Sequence, residues 1–151
     1  MTEPATNVPE MIQPEMTFAE LVENFALFDD WEDRYRYLID LGRKLPPLPD
    51  ALKTEANKVR GCMSQVWLVT GHPAGDPSRF AFAADSDAHI VKGLIAVLGV
   101  LFSGQTPEAI AAIAGIDPEA AFKTLGLDQH LSPTRRNGLV AMVQRIKAAA
   151  G

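Results

Sequence analysis

Thiols are almost absent from this sequence: Cys62 is the single cysteine among 151 residues. One cysteine excludes an internal disulfide. It also excludes any site that needs several thiolates from one chain, such as a structural zinc knuckle or a self-contained iron–sulfur cluster. A lone free thiol fits a reducing cytosol, so a cytoplasmic location is expected. Basic charge is scarce as well: 14 Lys and Arg stand against 19 Asp and Glu, a net charge of −5. Without a basic footprint, nucleic acid and anionic membrane are poor partners. The longest apolar stretch, Ile90 to Phe102, is interrupted by Lys92. It is too short to span a bilayer and reads as a buried helix. The opening segment MTEPATNVPEMIQPEMT lacks the apolar stretch of a secretory signal and the arginines of a transit peptide. His72, His89 and His130 share no ligand spacing, so no metal site is expected.

What is present suits one globular domain: 47% of residues are hydrophobic and 22% charged. Residues 1–16 carry three prolines and no periodicity, which predicts a floppy tail before a single domain over 17–151. Thr17-Phe18-Ala19-Glu20 matches a capping box, and Phe18, Leu21, Val22 and Phe25 follow at helical spacing. A second helix is expected from about Asp29, with Trp31, Tyr35, Leu38 and Leu45 as its apolar stripe. Leu45-Pro46-Pro47-Leu48-Pro49 ends it, and Asp50 is a candidate cap for a short third helix. From Asn57 the pattern changes. Gln65 to Thr70 and Arg79 to Ala83 carry strand signatures, joined by a turn-rich Gly71 to Pro77, and Lys58 to Gly61 suggests a shorter strand before them. Cys62 then falls in a turn between two strands. Helix signals return at 90–102, Thr106-Pro107-Glu108, Asp117-Pro118-Glu119 and Ser132-Pro133. The expected class is α+β: a small three-stranded antiparallel sheet with helices before and after it, packed on one face.

Cys62 is the first candidate for chemistry. Gly61 permits a tight turn beside the sulfur, and Arg60 can favour the thiolate over a thiol whose reference pKa is about 8.5. The bland alternative is a small buried hydrophobe between apolar strands. Asp85-Ser86-Asp87 reads first as a helix N-cap and second as an acidic loop near Cys62. Arg135 and Arg136 fall in the first turn of the last helix, where the macrodipole disfavours cations by roughly 0.3–1 kcal/mol each. Helix stability does not explain them, which leaves an internal salt bridge or contact with a partner protein.

Three blocks in order, Arg34-Tyr35-Arg36-Tyr37-Leu38-Ile39-Asp40-Leu41-Gly42, Leu45-Pro46-Pro47-Leu48-Pro49 and Val59-Arg60-Gly61-Cys62-Met63-Ser64-Gln65-Val66-Trp67, resemble the SufE family of sulfur acceptors. Asp85-Ser86-Asp87, Ile90-Val91-Lys92-Gly93-Leu94, His130-Leu131-Ser132-Pro133-Thr134-Arg135 and Asn137-Gly138-Leu139 extend the resemblance from about Phe18 to Ile146. It implies a SufE/NifU-like fold with the acceptor cysteine, here Cys62, on a loop at the end of the sheet. It also implies a carrier that takes sulfane sulfur from a SufS-type cysteine desulfurase, stimulates that enzyme, and passes the sulfur to a SufBCD-type scaffold. The pyridoxal phosphate belongs to the desulfurase, and this chain is expected to bind no cofactor. Met63 departs from the family pattern, which favours a polar residue, often glutamine. A lone thiol suits such a carrier, because a second nearby thiol would resolve the persulfide to a disulfide and release sulfide.

Other readings of the residues are a stand-alone thiol peroxidase or hydrolase, a cluster scaffold and a non-catalytic interaction domain. The first needs a base or equivalent group beside the thiol, and no histidine lies near Cys62 in sequence. The scaffold needs several ligands where the chain offers one thiol.

Overall fold

The computed structural model describes residues 10–14, 16–60, 65–73, 75–106, 108–109, 118–127 and 132–150. Helix α1 spans Phe18–Ala26, and the expected capping box is formed. Thr17 Oγ1 accepts from the Glu20 amide at 3.2 Å while the Glu20 carboxylate accepts from the Thr17 amide at 3.0 Å. Helix α2 spans Trp31–Arg43, opened by the Asp30 carboxylate on the Asp33 amide at 2.9 Å. Leu45, expected on its stripe, lies past its end, because Pro46 and Pro47 force the chain out of the helix. Asp50–Leu52 is a single 3-10 turn with Pro49, not Asp50, at its cap position.

Strands β1 (Val66–Gly71) and β2 (Ala81–Ser86) pair antiparallel, with Val66 opposite Ser86 and Gly71 opposite Ala81. Among the described residues the sheet has two strands, not the expected three. The segment expected to supply the third makes one bridge, Lys58 to Trp67, flanked by bonds from the Val59 amide to Val66 O and from the Leu68 amide to Asn57 O, each 2.8 Å. A turn accounts for this: the amides of Asn57 and Lys58 bond back to Thr54 and Glu55, leaving too few extended residues for a strand. β2 begins later than its alternation suggests. Arg79 is held in a turn by Asp76, and the Phe80 amide bonds to Gln105 O instead. Every residue of β2 is buried.

Helix α3 spans His89–Phe102 and buries most of its surface, as the apolar run requires. It crosses α2 at Gly42 and Gly93, where a Cβ on Gly93 would stand 2.5 Å from Leu38 O. The two backbones approach that closely only because both residues lack side chains. Helix α4 spans Pro118–Thr124. Helix α5 spans Pro133–Ala150, its Ser132 hydroxyl accepting from the Arg135 amide at 3.2 Å. α5 buries Leu139, Met142, Val143 and Ile146 in the common core with Phe25, Phe82, Phe102 and Phe122. Full burial of each such side chain is worth about 1.5–3 kcal/mol.

Within the segment expected to be a tail, Ile12 is anchored. It is buried, its amide donates to Phe82 O at 2.9 Å, and its carbonyl accepts from the Ser103 hydroxyl at 2.6 Å. Among the described residues, no helix is long and apolar enough to cross a membrane.

Candidate functional site

Cys62 and Gly61 lie outside the described residues, as does Met63. The chain on either side is defined. It leaves the description at Arg60 and returns at Gln65, between the paired residues Val59 and Val66. The segment that carries the thiol therefore joins the two arms of a short hairpin at the Val66–Ser86 end of the sheet.

Both arms are fastened by side chains distant in sequence. On the returning arm, the Gln65 amide donates to Asp87 Oδ1 at 3.0 Å and the Asp87 amide donates to Gln65 O at 3.3 Å. On the leading arm, Arg145 of α5 donates to Lys58 O at 3.0 Å and to Ala56 O at 2.9 Å. Asn57 adds a bond from its side-chain amide to Leu52 O at 2.8 Å.

A charged cluster sits beside these arms. Asp85 is only 8% exposed although it is ionisable, and each carboxylate oxygen faces a different lysine. Oδ2 is 3.4 Å from Lys53 Nζ, and Oδ1 is 3.4 Å from Lys92 Nζ. Oδ1 also accepts from the Ser86 amide at 2.8 Å. Two ammonium partners and a backbone donor make the burial of this carboxylate affordable. Lys53 Nζ also lies 5.6 Å from the centre of the Trp67 ring and 3.3 Å from Asp50. The Lys53 ammonium is held above its ordinary range: burial is the largest single influence and acts against this, but hydrogen bonding to Asp50 and attraction to Asp85 outweigh it.

The reading of Asp85-Ser86-Asp87 as the cap of α3 is corrected by these contacts. Asp85 and Ser86 belong to β2, and the cap position of α3 is Ala88, which has no side chain to offer. Only the Ser86 hydroxyl serves the turn, accepting from the Ala88 amide at 3.2 Å. The carboxylates are taken by lysines and by the Gln65 amide, which are stronger demands than an exposed helix terminus.

The candidate arginines separate into different settings. Arg60 is exposed and paired with Glu55 at 3.0 Å, so its charge is shared with a neighbour on the same arm. Arg136 is exposed, and its amide bonds to Ser132 O at 3.0 Å. Arg135 is half-buried, and its Nη1 is buried with no hydrogen-bond partner among the described residues. Lys53, Lys92 and Arg145 were not candidates from the sequence. Lys92 did carry a signal: a lysine breaking an apolar run in the first turn of a helix opposes the macrodipole and needs a carboxylate nearby. Arg145 carries none, because its partners are set by tertiary packing, and Lys53 shows along the chain only its neighbour Asp50, not Asp85.

A cleft of about 250 Å³ lies between residues 10–16 and helices α2 and α3, lined by Ile12, Met16, Leu41, Leu45, Ala96 and Val100. No candidate residue lines it, and Met11 rests against Gly71 at the opposite end of β1 from Gln65. Among the described residues, no group of three or more His, Cys, Asp or Glu side chains is arranged to hold a metal ion.

Residues 19–150 match the family model described as SufE, an Fe-S metabolism associated domain. An uncharacterized SufE-like protein of Rhizobium meliloti is 47% identical over 133 residues, covering 87% of this chain and 92% of that one. An uncharacterized SufE-like protein of Rhizobium etli is 48% identical over 133 residues, 87% of each chain. In fold, the chain is similar to the solution structure of a hypothetical protein from Thermus thermophilus, with a TM-score of 0.68 at 22% identity, over 89% of this chain and 96% of that one.

Proposed function

The chain belongs to the SufE family and so takes part in iron–sulfur metabolism; from that premise we propose that it is a persulfide carrier whose acceptor is Cys62. A SufS-type cysteine desulfurase is the donor and a SufBCD-type scaffold the recipient. The Cys62 thiolate attacks the outer sulfur of the desulfurase's cysteine persulfide. The sulfur–sulfur bond of the donor breaks, its cysteine leaves as a thiolate, and Cys62 carries the persulfide. No oxidant or reductant is consumed, because one sulfane sulfur moves between two thiolates. The chain needs no cofactor of its own for this step, since pyridoxal phosphate acts in the desulfurase before the sulfur arrives.

The observation that supports this reading is the hairpin. The only thiol of the chain falls between two arms that are each tied down from outside the hairpin, at Asp87 and at Arg145. Such a mounting suits a group that must be presented to a partner and then withdrawn. Trp67, half-buried at the base of the hairpin, offers apolar surface suited to sheltering a sulfur that reductants and oxidants would otherwise remove. Arg135, and Arg136 beside it, are proposed to meet the desulfurase.

The test is incubation with a SufS-type desulfurase and cysteine, followed by peptide mass spectrometry. One or more sulfur atoms should be added at Cys62, and Cys62→Ser should gain none and leave desulfurase turnover unstimulated. Stimulation by that variant equal to wild type would remove the proposal. Turnover of peroxide or thioester by the protein alone would favour an independent thiol enzyme.

A further inference from the structure

Arg145 stands on α5, 87 residues from Lys58 in sequence, yet it binds the backbone of the arm that leads to Cys62. Nη1 reaches Lys58 O and Nη2 reaches Ala56 O, a two-pronged grip on two carbonyls of one short segment. The opposite side of that segment is occupied by β1, through Asn57 O and the Val59 amide. Peptide groups alternate in direction along extended chain, so Lys58 O points away from β1, to the side where no further strand is found among the described residues. Arg145 supplies there the donors that another strand would have supplied. Arginine suits the position because its planar guanidinium presents several N–H donors in a fixed fork, whereas lysine offers one point charge.

The arm needs such a grip. Its pairing with β1 is one bridge and two hydrogen bonds, a patch of low local stability that would open readily by itself. Arg145 is itself firmly mounted, since Met142 and Ile146 on the same helix are buried in the core. The same helix begins with Arg135 and Arg136, about 15 Å away along the axis at 1.5 Å per residue.

We infer that Arg145 is a positioning residue for Cys62: by fixing residues 56–59 it sets the exposure of the thiol that follows and hence the rate of sulfur acceptance. This rests on the reading of Cys62 as the persulfide acceptor. Arg145 does not touch the reacting atoms. It acts through the backbone of the leading arm.

The test compares wild type, Arg145→Ala, Arg145→Lys and, as a control that trims a core side chain of α5 and leaves the Arg145 guanidinium in place, Val143→Ala. Three quantities are read: thermal unfolding, the rate of Cys62 alkylation by iodoacetamide in the free protein, and the rate of persulfide uptake from the desulfurase. Loss of two hydrogen bonds to a weakly paired arm should make alkylation of Arg145→Ala at least about threefold faster and uptake at least about threefold slower. Arg145→Lys, able to reach one carbonyl, should recover part of both, and Val143→Ala should match wild type in both. Wild-type alkylation and uptake in Arg145→Ala would overturn the inference, as would equal changes in Val143→Ala. If Arg145→Ala does not fold, Arg145→Lys decides: rates equal to wild type overturn the inference, and intermediate rates support it. If wild type itself takes up no sulfur, the persulfide reading fails, and the alkylation comparison alone still decides whether Arg145 positions the thiol.

Discussion

Gln65 and Asp87 bind each other twice, the Gln65 amide to the Asp87 carboxylate at 3.0 Å and the Asp87 amide to Gln65 O at 3.3 Å. The pair closes the returning arm of the Cys62 hairpin onto the turn between β2 and α3. Backbone and side chain of Asp87 thus fix the peptide groups on both sides of the Gln65 Cα, which is more restrictive than either bond alone.

Asp87→Ala removes the carboxylate and should free Gln65 without unfolding the domain, since an exposed bond of this kind contributes about 1 kcal/mol. Amide exchange at Gln65 should speed up by several fold and Cys62 should alkylate faster than in wild type, while Asp87→Asn, which keeps an acceptor oxygen, should lie between. Unchanged exchange at Gln65 in the alanine variant would mean that the arm is held by its strand pairing alone.

Lys53 makes stability depend on alkaline pH. Its ammonium is more favoured in the folded chain than in the unfolded one, where the pKa is about 10.4. Its contribution is therefore fully present below that value and is lost as pH rises through the higher folded pKa. Urea unfolding of wild type and Lys53→Gln should show a gap that is constant well below the unfolded-state pKa and shrinks as pH rises above it. Tyrosine ionisation affects both proteins alike and cancels in the difference. A gap that widens with pH would show that Asp50 and Asp85 do not hold the ammonium as described.

Arg135→Ala should separate docking from folding. The buried Nη1 of Arg135 has no hydrogen-bond partner among the described residues, and the guanidinium sits in the first turn of α5, where the dipole opposes it. Its removal should leave the melting temperature within about 2 °C of wild type. Affinity for the desulfurase should fall, by about 2 kcal/mol or more if a desolvated ion pair is lost. Titration of the two proteins, with thermal unfolding of the variant alongside, checks both halves. Unchanged affinity with a large fall in melting temperature would make Arg135 an internal structural partner.

Gly93→Ala should strain the α2–α3 crossing. The added Cβ would stand 2.5 Å from Leu38 O and 2.7 Å from Leu38 Cγ, and the first contact is backbone, which cannot swing aside. A cost of about 2–3 kcal/mol is expected, the upper part of the range for overpacking, seen as a fall in melting temperature of about 5–10 °C. A fall of less than about 2 °C would show that the helices can separate there at little cost.

Much of this molecule was legible along the chain because the signals are local. A capping box needs only Thr17 and Glu20, three residues apart, and it formed. The run at 90–102 dictates burial by composition alone, and α3 is buried almost throughout. Strand β1 followed from its β-branched and aromatic residues, and the ordered motifs around Cys62 carried the family. Local signals failed where two segments compete for one group. Asp85-Ser86-Asp87 has the chemistry of a helix cap, but lysines from the 3-10 turn and from α3, and the amide of Gln65, claim its carboxylates. The third strand failed similarly, because whether Lys58 extends its pairing depends on the turn at 54–57. The sequence by itself determined the class of fold, helices α1 and α3, and the single thiol on which the chemistry is proposed to rest. Only the tertiary structure decided what holds that thiol's hairpin: Asp87, 22 residues beyond Gln65, and Arg145, 87 beyond Lys58. A hydrogen bond between residues so far apart exists only once packing has set their distance, and no spacing or propensity along the chain encodes it.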